Sequence, residues 1–420
     1  MDERLAIEGG TPVRTRPFGP GHDFGEDDAE AVAEVVRTGA VGKGKRVLEF
    51  ERAFAARHGV RHGMSVTSGT AAMHVAVAAI NPDPGDEIIV TPWTSGGSII
   101  GLLLHNCVPV FADIDDTYTL DPADVEAKIT PRTRAIIAVH LFGNPCDLDA
   151  LADIARRHNL FLIEDCAQAH FAEYQGRIVG SIGDIAGYSF GGKHLSAGIG
   201  GMVLTNNESL WERGLLFSDA ALPRAGGPYA GRPYANYFLG PNYRMNDLIA
   251  ALLLSQMKKV DGYNEAKIQA AHALTEGLAD LDEITPQRVR PGDRNTYWVY
   301  GFTLDTDRLT CDAWQFADAL NKEGVPTGGP YLGTGKEGPL YRNPFLAEPD
   351  LYGRSRFPLD YGREHPIDYR LVECPNGEAL MRRSVNIPMR PSFTEEDIAD
   401  MVAAVRKVTV HYRKPVFALA

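Results

Sequence analysis

The feature that most constrains the fold of this chain is an alternation of short apolar runs with helical patterns between about residues 60 and 205. Several runs are apolar at successive positions, which is typical of strands buried on both faces of a parallel sheet. The predicted strands are 86–92, 108–115, 134–143, 160–166, 184–190 and 200–206. The predicted helices between them are 70–80, 122–129 and 148–158. This alternation predicts an α/β domain with helices on both faces of the sheet.

The pattern changes after about residue 245, where a long helical stretch could link two domains. A strand over RNTYWVYGFTL, a helix near 311–323 and a C-terminal helix over EEDIADMVAAVRKV then fit a smaller α+β domain. We therefore predict a large domain over 1–262, which includes an N-terminal arm, and a small domain over 263–420.

A loop-rich segment within the second half, 325–375, is long for a connection without secondary structure, so we expect it to shape a substrate pocket. Its Tyr331, Lys336, Tyr341 and Arg342 could bind hydroxyl groups or phosphate, or could be ordinary loop residues. The sequence leaves both alternatives open.

Charge and composition exclude several classes of protein. The net charge of −13 disfavours a nucleic-acid partner, which would require a basic surface. No apolar run approaches the roughly 20 residues that span a bilayer, and the N-terminus lacks the apolar core of a secretory signal. The five cysteines are scattered without a CxxC pair, so we expect a cytoplasmic protein with neither a disulfide framework nor a metal site.

Polar residues follow several of the predicted strands, and ligands of open α/β sheets bind at the carboxyl ends of strands. Ser68, Gly69 and Thr70 precede an apolar helix, where they form either an anion site or a simple helix cap. Asp165 follows Glu164 at the end of a very apolar strand. It could pair with a ring nitrogen of a cofactor or cap the next helix.

Two further places lie downstream. Lys193 stands in a run with six glycines, shortly after Ser189, and could act as an amine nucleophile or be an exposed loop lysine. Asn242 and Arg244 precede another apolar helix, where they could be polar caps only or could reach an anion. Taken in order, these places supply an anion site, a partner for a ring nitrogen and an amine, which are the parts that a pyridoxal 5'-phosphate (PLP) enzyme needs.

Linked motifs over nearly the whole chain carry a resemblance to a known family. They include TSGTAAMHVA, IEDCAQAHFAEYQGRIVGSIGDIAGYSF, GKHLSAGIGGMVLTN and NYRMNDLIAALLLSQ. On these motifs the chain resembles the DegT/DnrJ/EryC1/StrS sugar aminotransferases, within the fold-type I PLP enzymes. The resemblance implies a large domain with a mostly parallel seven-stranded sheet flanked by helices, plus a smaller α+β C-terminal domain.

The resemblance also implies roles for residues at matching positions. Lys193 matches the lysine that forms a Schiff base with PLP, and Asp165 matches the partner of the pyridine nitrogen. Other positions assigned to the cofactor site are Ser68, Gly69, Thr70, Trp93, Gln168, Ser189 and Asn242. Among them, Gln168 is expected near the ring and its 3-hydroxyl group, and Asn242 is expected to reach the phosphate from the other subunit of a homodimer with a shared active site.

Two departures from the family pattern affect these roles. Ser95 stands where the family places an aromatic residue that stacks on the cofactor, so Trp93 either supplies that face or belongs to the core. Three residues separate Ser189 from Lys193, where the family has four. Counting forward would put His194 at the lysine position, as in a related dehydratase branch, but the downstream spacing in KHLSAGIGG keeps Lys193 in register.

The resemblance implies transfer of an amino group from glutamate or glutamine to a keto-sugar or keto-cyclitol, in the biosynthesis of aminoglycoside-like secondary metabolites. We find no clear basic cluster for a diphosphate, which favours a free ketone over a nucleotide-linked one. A PLP- or PMP-dependent sugar dehydratase and a catalytically inactive partner protein with the same fold are the alternatives.

Overall fold

The fold is described from a computed structural model over residues 4–224, 230–330, 338–348, 351 and 353–415. The α-helices are α1 (Glu26–Thr38), α2 (Lys45–Arg57), α3 (Gly69–Ala79), α4 (Gly97–Leu104), α5 (Pro122–Ala127), α6 (Leu148–His158), α7 (Glu208–Phe217), α8 (Asp247–Gln256), α9 (Val260–Leu278), α10 (Ala313–Lys322), α11 (Pro344–Ala347), α12 (Pro375–Arg383) and α13 (Glu395–Tyr412). The strands are β1 (His62–Val66), β2 (Glu87–Val90), β3 (Val108–Phe111), β4 (Thr133–Val139), β5 (Phe161–Asp165), β6 (Glu173–Tyr174), β7 (Arg177–Ile178), β8 (Ile185–Ser189), β9 (Gly201–Thr205), β10 (Ile284–Pro286), β11 (Val299–Leu304) and β12 (Ser384–Pro388).

The larger sheet has seven strands in the order β1-β9-β8-β5-β4-β2-β3. Neighbouring strands pair in parallel except around β9, which is antiparallel to both β1 and β8. All six predicted strands form, and β1 completes the sheet. The α/β fold with a mostly parallel seven-stranded sheet is thus confirmed.

Helices cover both faces of this sheet, as its apolar strands require. On one face α2, α6 and α8 contribute Phe50, Leu151 and Leu253 to a buried cluster. On the other face α3 and α4 contribute Val75 and Leu102. In the described ranges, no helix combines the length and apolar character that crossing a bilayer requires.

A third core lies in the C-terminal part of the chain, around the antiparallel sheet β10-β11-β12. Helices α9, α10 and α13 pack on it, and the N-terminal arm joins the same core through Leu5. The guanidinium of Arg14 in this arm pairs with Asp397 at 2.7 Å, at the start of α13. This arrangement agrees with a smaller α+β unit, while the predicted boundary after residue 262 falls inside α9 and stays a prediction.

Candidate active site

A cavity opens at the carboxyl ends of the parallel strands, where ligands of open α/β sheets bind. The cavity brings together six of the residues predicted from the sequence: Gly69, Thr70, Asp165, Gln168, Ser189 and Lys193. These residues come from the start of α3, the ends of β5 and β8, and the loops that follow them.

The start of α3 and the end of β8 form one wall of the cavity. The Ser68 hydroxyl accepts a 3.1 Å hydrogen bond from the Ala71 N–H, so Ser68 acts as the helix cap. A Cβ atom on Gly69 would lie 2.5 Å from Cβ of Ser189, so only glycine permits this close approach. The unpaired N–H groups at the start of α3 and the Ser189 hydroxyl make this wall a suitable anion site.

Asp165 ends β5 and is buried in the cavity floor. Its Oδ2 accepts a 2.7 Å hydrogen bond from Ser98 Oγ, and its Oδ1 accepts one of 3.1 Å from the Ala167 N–H. Burial raises the pKa of this carboxyl, although the two hydrogen bonds oppose the rise. Among the described residues Asp165 makes no ion pair, so this buried carboxylate lacks a cation, which a protonated ring nitrogen would provide.

Glu164, the residue before Asp165, is fixed by several hydrogen bonds. Its carboxylate accepts hydrogen bonds of 2.6–2.9 Å from three N–H groups of the 180–183 turn and one of 3.1 Å from His140 Nε2. Burial alone would raise the pKa of Glu164, but these bonds and the His140 charge lower it. His140, Glu164 and Cys166 offer metal-ligand atoms within 4.8 Å of one another. Because the Glu164 oxygens already accept these bonds, we interpret the group as a hydrogen-bonded support of the strand end.

Lys193 projects into the cavity from the glycine-rich loop after β8. Its Nζ lies 3.4 Å from the centroid of the Trp298 ring. The Trp298 indole N–H donates a 3.2 Å hydrogen bond to the Gly192 carbonyl, and His22 Nε2 contacts the Lys193 carbonyl. Burial lowers the pKa of Lys193 to about 8, against the charge of Asp165, which raises it. This amine is therefore deprotonated more easily than an exposed lysine.

The side chains of Lys193 and His194 show the register of the lysine loop, which is the glycine-rich loop after β8. Lys193 lines the cavity, whereas His194 is buried beneath it, with Nε2 2.9 Å from the Gln168 carbonyl oxygen. Gly192 has a φ of +65°, a conformation that glycine adopts without strain, and it lets the short link after Ser189 turn. The structure thus places Lys193 in the cavity, as the downstream spacing predicts.

Trp93 does not lie in the cavity lining. Its ring is fully buried and stacks on Tyr118, with ring centroids 4.8 Å apart, and it also contacts the edge of Phe142. Thr94 and Ser95 line the cavity instead. The placement of Trp93 beside the cofactor is thereby corrected in favour of the core alternative, because its aromatic neighbours bury it.

Other candidate residues also lie outside the lining of this chain's cavity. Asn242 is exposed, and its Oδ1 accepts a 3.0 Å hydrogen bond from Arg244. Tyr341 donates to Glu378 at 2.5 Å, and Arg342 donates to backbone carbonyls within the loop-rich segment. These two residues therefore hold that segment together. Tyr331 and Lys336 fall outside the described residues.

The residues of the cavity fit PLP. The wall between Gly69 and Ser189 can hold a phosphate, Asp165 can hold a protonated pyridine nitrogen, and Lys193 offers a buried amine. Trp298 and His22, which touch the lysine loop, were missed from the sequence because nothing in their own segments points to Lys193. Their placement depends on contacts with residues more than 100 positions away.

Comparisons with known proteins identify the family of the chain. Residues 22–355 match the model of the DegT/DnrJ/EryC1/StrS aminotransferase family. The chain is 36% identical to the L-glutamine:2-deoxy-scyllo-inosose aminotransferase of Streptoalloteichus tenebrarius, over 98% of this chain and 99% of that protein. It is 34% identical to the GDP-perosamine synthase of Caulobacter vibrioides, over 87% and 91% of the two chains.

Solved structures show the same fold. DesV of S. venezuelae, solved in complex with a ketimine intermediate, superposes with a TM-score of 0.80 at 28% identity, covering 93% of this chain and 98% of that one. The family match, the relatives and the shared fold lead to one conclusion. This chain belongs to the DegT/DnrJ/EryC1/StrS aminotransferase family and is a PLP-dependent aminotransferase.

Proposed function

We propose that this enzyme transfers the amino group of glutamine or glutamate to the ketone of a free cyclitol or sugar, in a pathway of aminoglycoside type. The observation that carries the chemistry is the buried Lys193 amine in the same cavity as the buried Asp165 carboxylate. The cyclitol acceptor and the glutamine donor are supported by the name of the Streptoalloteichus relative.

The polar residues Lys193, Asp165, Ser98 and Ser189 each have a role in this proposal. Bound PLP supplies an electron sink for the charge that develops at the substrate carbon. Lys193 Nζ would hold the cofactor and, when free, would act as the base and acid that moves the proton of the substrate Cα. Asp165 would keep the ring nitrogen protonated, and Ser98 orients Asp165 through its 2.7 Å hydrogen bond. The start of α3 and Ser189 would hold the phosphate.

The acceptor class is argued from the charges of the cavity. Lys193 is the single cation among the described residues that line it. A nucleotide-linked sugar carries a diphosphate that normally requires basic partners, so this lining favours an uncharged ketone. The rival is a nucleotide-linked keto-sugar, which the GDP-perosamine synthase relative supports.

Steady-state kinetics with both acceptor classes test this proposal. We expect a keto-cyclitol such as 2-deoxy-scyllo-inosose to give a higher kcat/KM than a nucleotide-linked 4-keto-sugar, with glutamine and glutamate compared as donors. Turnover of the nucleotide-linked class alone would refute the proposed acceptor.

Reduction with borohydride tests the two alternative functions, a sugar dehydratase and a catalytically inactive partner protein. We expect reduction of the PLP-loaded protein to fix the cofactor on Lys193, as peptide mass spectrometry would show. A His194 that lies beneath the cavity argues against the dehydratase. Absence of any lysine adduct in the presence of PLP would refute the role of Lys193.

A homodimer with a shared site is part of the proposal. Asn242 is exposed in the single chain, and Leu239 close to it in sequence is 94% exposed. Covering this side chain with a second subunit would remove apolar surface from water, which is favourable. Lys193→Ala and Asn242→Ala chains, mixed under subunit exchange, should regain about a quarter of wild-type activity, because half of the dimers carry one intact site. No recovery would contradict the shared site.

We also infer that the enzyme works in the cytoplasm. All five cysteines are free and buried, which suits a reducing compartment. Cell fractionation of the source organism with an antibody against the protein would test this location, and recovery in a secreted fraction would overturn it.

A further inference from the structure

The environment of the free Lys193 amine contains an unusual partner. Nζ lies 3.4 Å from the centroid of the Trp298 ring, so the ammonium rests directly on the indole face. Among the described residues it forms no ion pair within 4 Å and donates no hydrogen bond to an oxygen or nitrogen. A buried ammonium without an acceptor is costly, and an aromatic face is one of the few groups that can compensate for it.

The Trp298 ring is held in place from several sides. Its indole N–H donates to the Gly192 carbonyl at 3.2 Å. Its backbone N–H donates to the Phe142 carbonyl at 2.8 Å, and its own carbonyl accepts from the Met389 N–H at 3.2 Å. Trp298 directly precedes β11 of the small sheet, so the C-terminal unit presents a fixed aromatic surface to the loop that carries Lys193, after β8 of the large sheet.

We propose that the indole face of Trp298 is the resting site of the Lys193 ammonium whenever the amine is not bound to the cofactor. The inference rests on the proposed role of Lys193. A freed lysine has to keep the proton it has removed, close to the carbon that receives it, until the second transfer. The indole face stabilises the protonated amine and restrains its position, so Trp298 is a positioning residue for the proton shuttle.

Several titratable groups lie around the loop that carries Lys193 and have to be considered with Trp298. Asp165 is the acidic one, and its charge favours the ammonium. The basic groups come from the N-terminal arm, from the loops after β5 and β8, and from α9: His22, His170, His194 and Lys267. Burial lowers the pKa of each of these four. The three histidines are therefore mainly neutral at neutral pH, and Trp298 and Asp165 are the groups that favour a charged Lys193.

The test measures the pKa of Lys193 in the protein without added cofactor. The probe is competitive acetylation with acetic anhydride between pH 6 and 10, with the acetylated Lys193 peptide quantified by mass spectrometry. Trp298→Leu should lower the pKa of Lys193 by about one pH unit, because the ammonium loses the aromatic face. Trp298→Phe keeps an aromatic face but lacks the indole N–H, and it should retain most of the wild-type pKa.

The two variants separate the proposal from a structural role. If Trp298→Phe shifts the pKa as much as Trp298→Leu, the hydrogen bond to Gly192 is responsible and the proposal is overturned. An unchanged pKa in Trp298→Leu also overturns it. If circular dichroism shows that Trp298→Leu does not fold, the pKa of Lys193 is compared between Trp298→Tyr, Trp298→Phe and Trp298→His. Histidine presents a smaller and poorer aromatic face than the other two, so Trp298→His should lower the pKa more.

Failure of the proposed function would give a different result from failure of the proposed resting site. Borohydride trapping on a residue other than Lys193 refutes the role of Lys193, whatever the pKa measurements show. Trapping on Lys193 together with an unchanged pKa in Trp298→Leu refutes only the resting site. In the loaded enzyme, we expect Trp298→Leu to lower kcat about tenfold with little change in KM for the donor.

Discussion

Lys267 on α9 donates a hydrogen bond of 3.1 Å to Nδ1 of His194, the residue next to Lys193. Both side chains are buried. Because His194 Nε2 faces the Gln168 carbonyl at 2.9 Å, Nε2 carries the proton and Nδ1 is free to accept. The ring thereby connects α9 to both Gln168 and the lysine loop, and burial lowers the pKa of Lys267 to about 7.

This buried lysine predicts a specific dependence of stability on pH. An unfolded lysine has a pKa near 10.4, so between pH 7 and 10 the unfolded chain binds the extra proton and stability rises with pH. From pH 7 to pH 9, Lys267 should contribute an increase of about 2 kcal/mol in the free energy of unfolding. Urea unfolding at pH 7 and pH 9 gives the increase in the free energy of unfolding for the wild type and for Lys267→Met. The difference between these two increases is the contribution of Lys267. Equal increases in the two proteins would contradict it.

The lowered pKa of Lys193 predicts how capture of the cofactor depends on pH. The neutral amine is the nucleophile, and its fraction grows as the pH rises through about 8. The rate at which the cofactor-free protein forms its yellow complex with PLP should therefore rise about tenfold per pH unit below pH 8 and level off above it. Stopped-flow absorbance gives the profile, with Lys193→Ala as the control. A profile that continues to rise to pH 10 would show an ordinary lysine.

Ser98 provides a test of the Asp165 environment. Ser98→Ala removes the 2.7 Å hydrogen bond to Asp165 and leaves a buried carboxylate oxygen without this donor. We expect PLP affinity to fall about tenfold, as is usual for loss of a hydrogen bond to a charged group. Ser98→Thr keeps the hydroxyl group and should bind PLP nearly as well as the wild type. Fluorescence titration measures both, and wild-type affinity in Ser98→Ala would argue against the orienting role.

Gly69 provides a steric test of the proposed phosphate wall. Gly69→Ala places a Cβ 2.5 Å from Cβ of Ser189, so α3 and β8 have to move apart. PLP affinity should fall about tenfold or more, because overpacking of this size typically costs 1–3 kcal/mol. Gly262→Ala is the matched control, since its Cβ meets nothing within 4 Å. Equal affinity in the two variants would mean that the phosphate lies elsewhere.

Much of the large sheet could be predicted from the sequence because its strands are apolar throughout and most of them are separated by helices. The predicted helix 148–158 is found as Leu148–His158, since a cap at Asp147 and an apolar stripe define it. The segment Gly97–Leu104 was not predicted as a helix, because GSIIGLLL has no amphipathic period. The long stretch after residue 245 divides into α8 and α9, which sequence pattern alone did not separate.

The candidate site was predictable where a residue follows its own strand or precedes its own helix. Asp165, Ser189 and Gly69 are of this kind, because topology alone gathers strand ends at one edge of the sheet. Trp298 and Lys267 are not, because they reach the lysine loop from the C-terminal half of the chain. Only tertiary packing brings such residues together, and no local pattern encodes it.

The contact between Trp298 and Lys193 also limits how freely this scaffold can be engineered. An exchange of the C-terminal unit with that of a relative, intended only to change the acceptor, would replace the aromatic surface beneath the reactive amine as well. Selectivity and turnover would then change together. Chimeras of this enzyme should therefore retain Trp298 even when the rest of the C-terminal unit is exchanged.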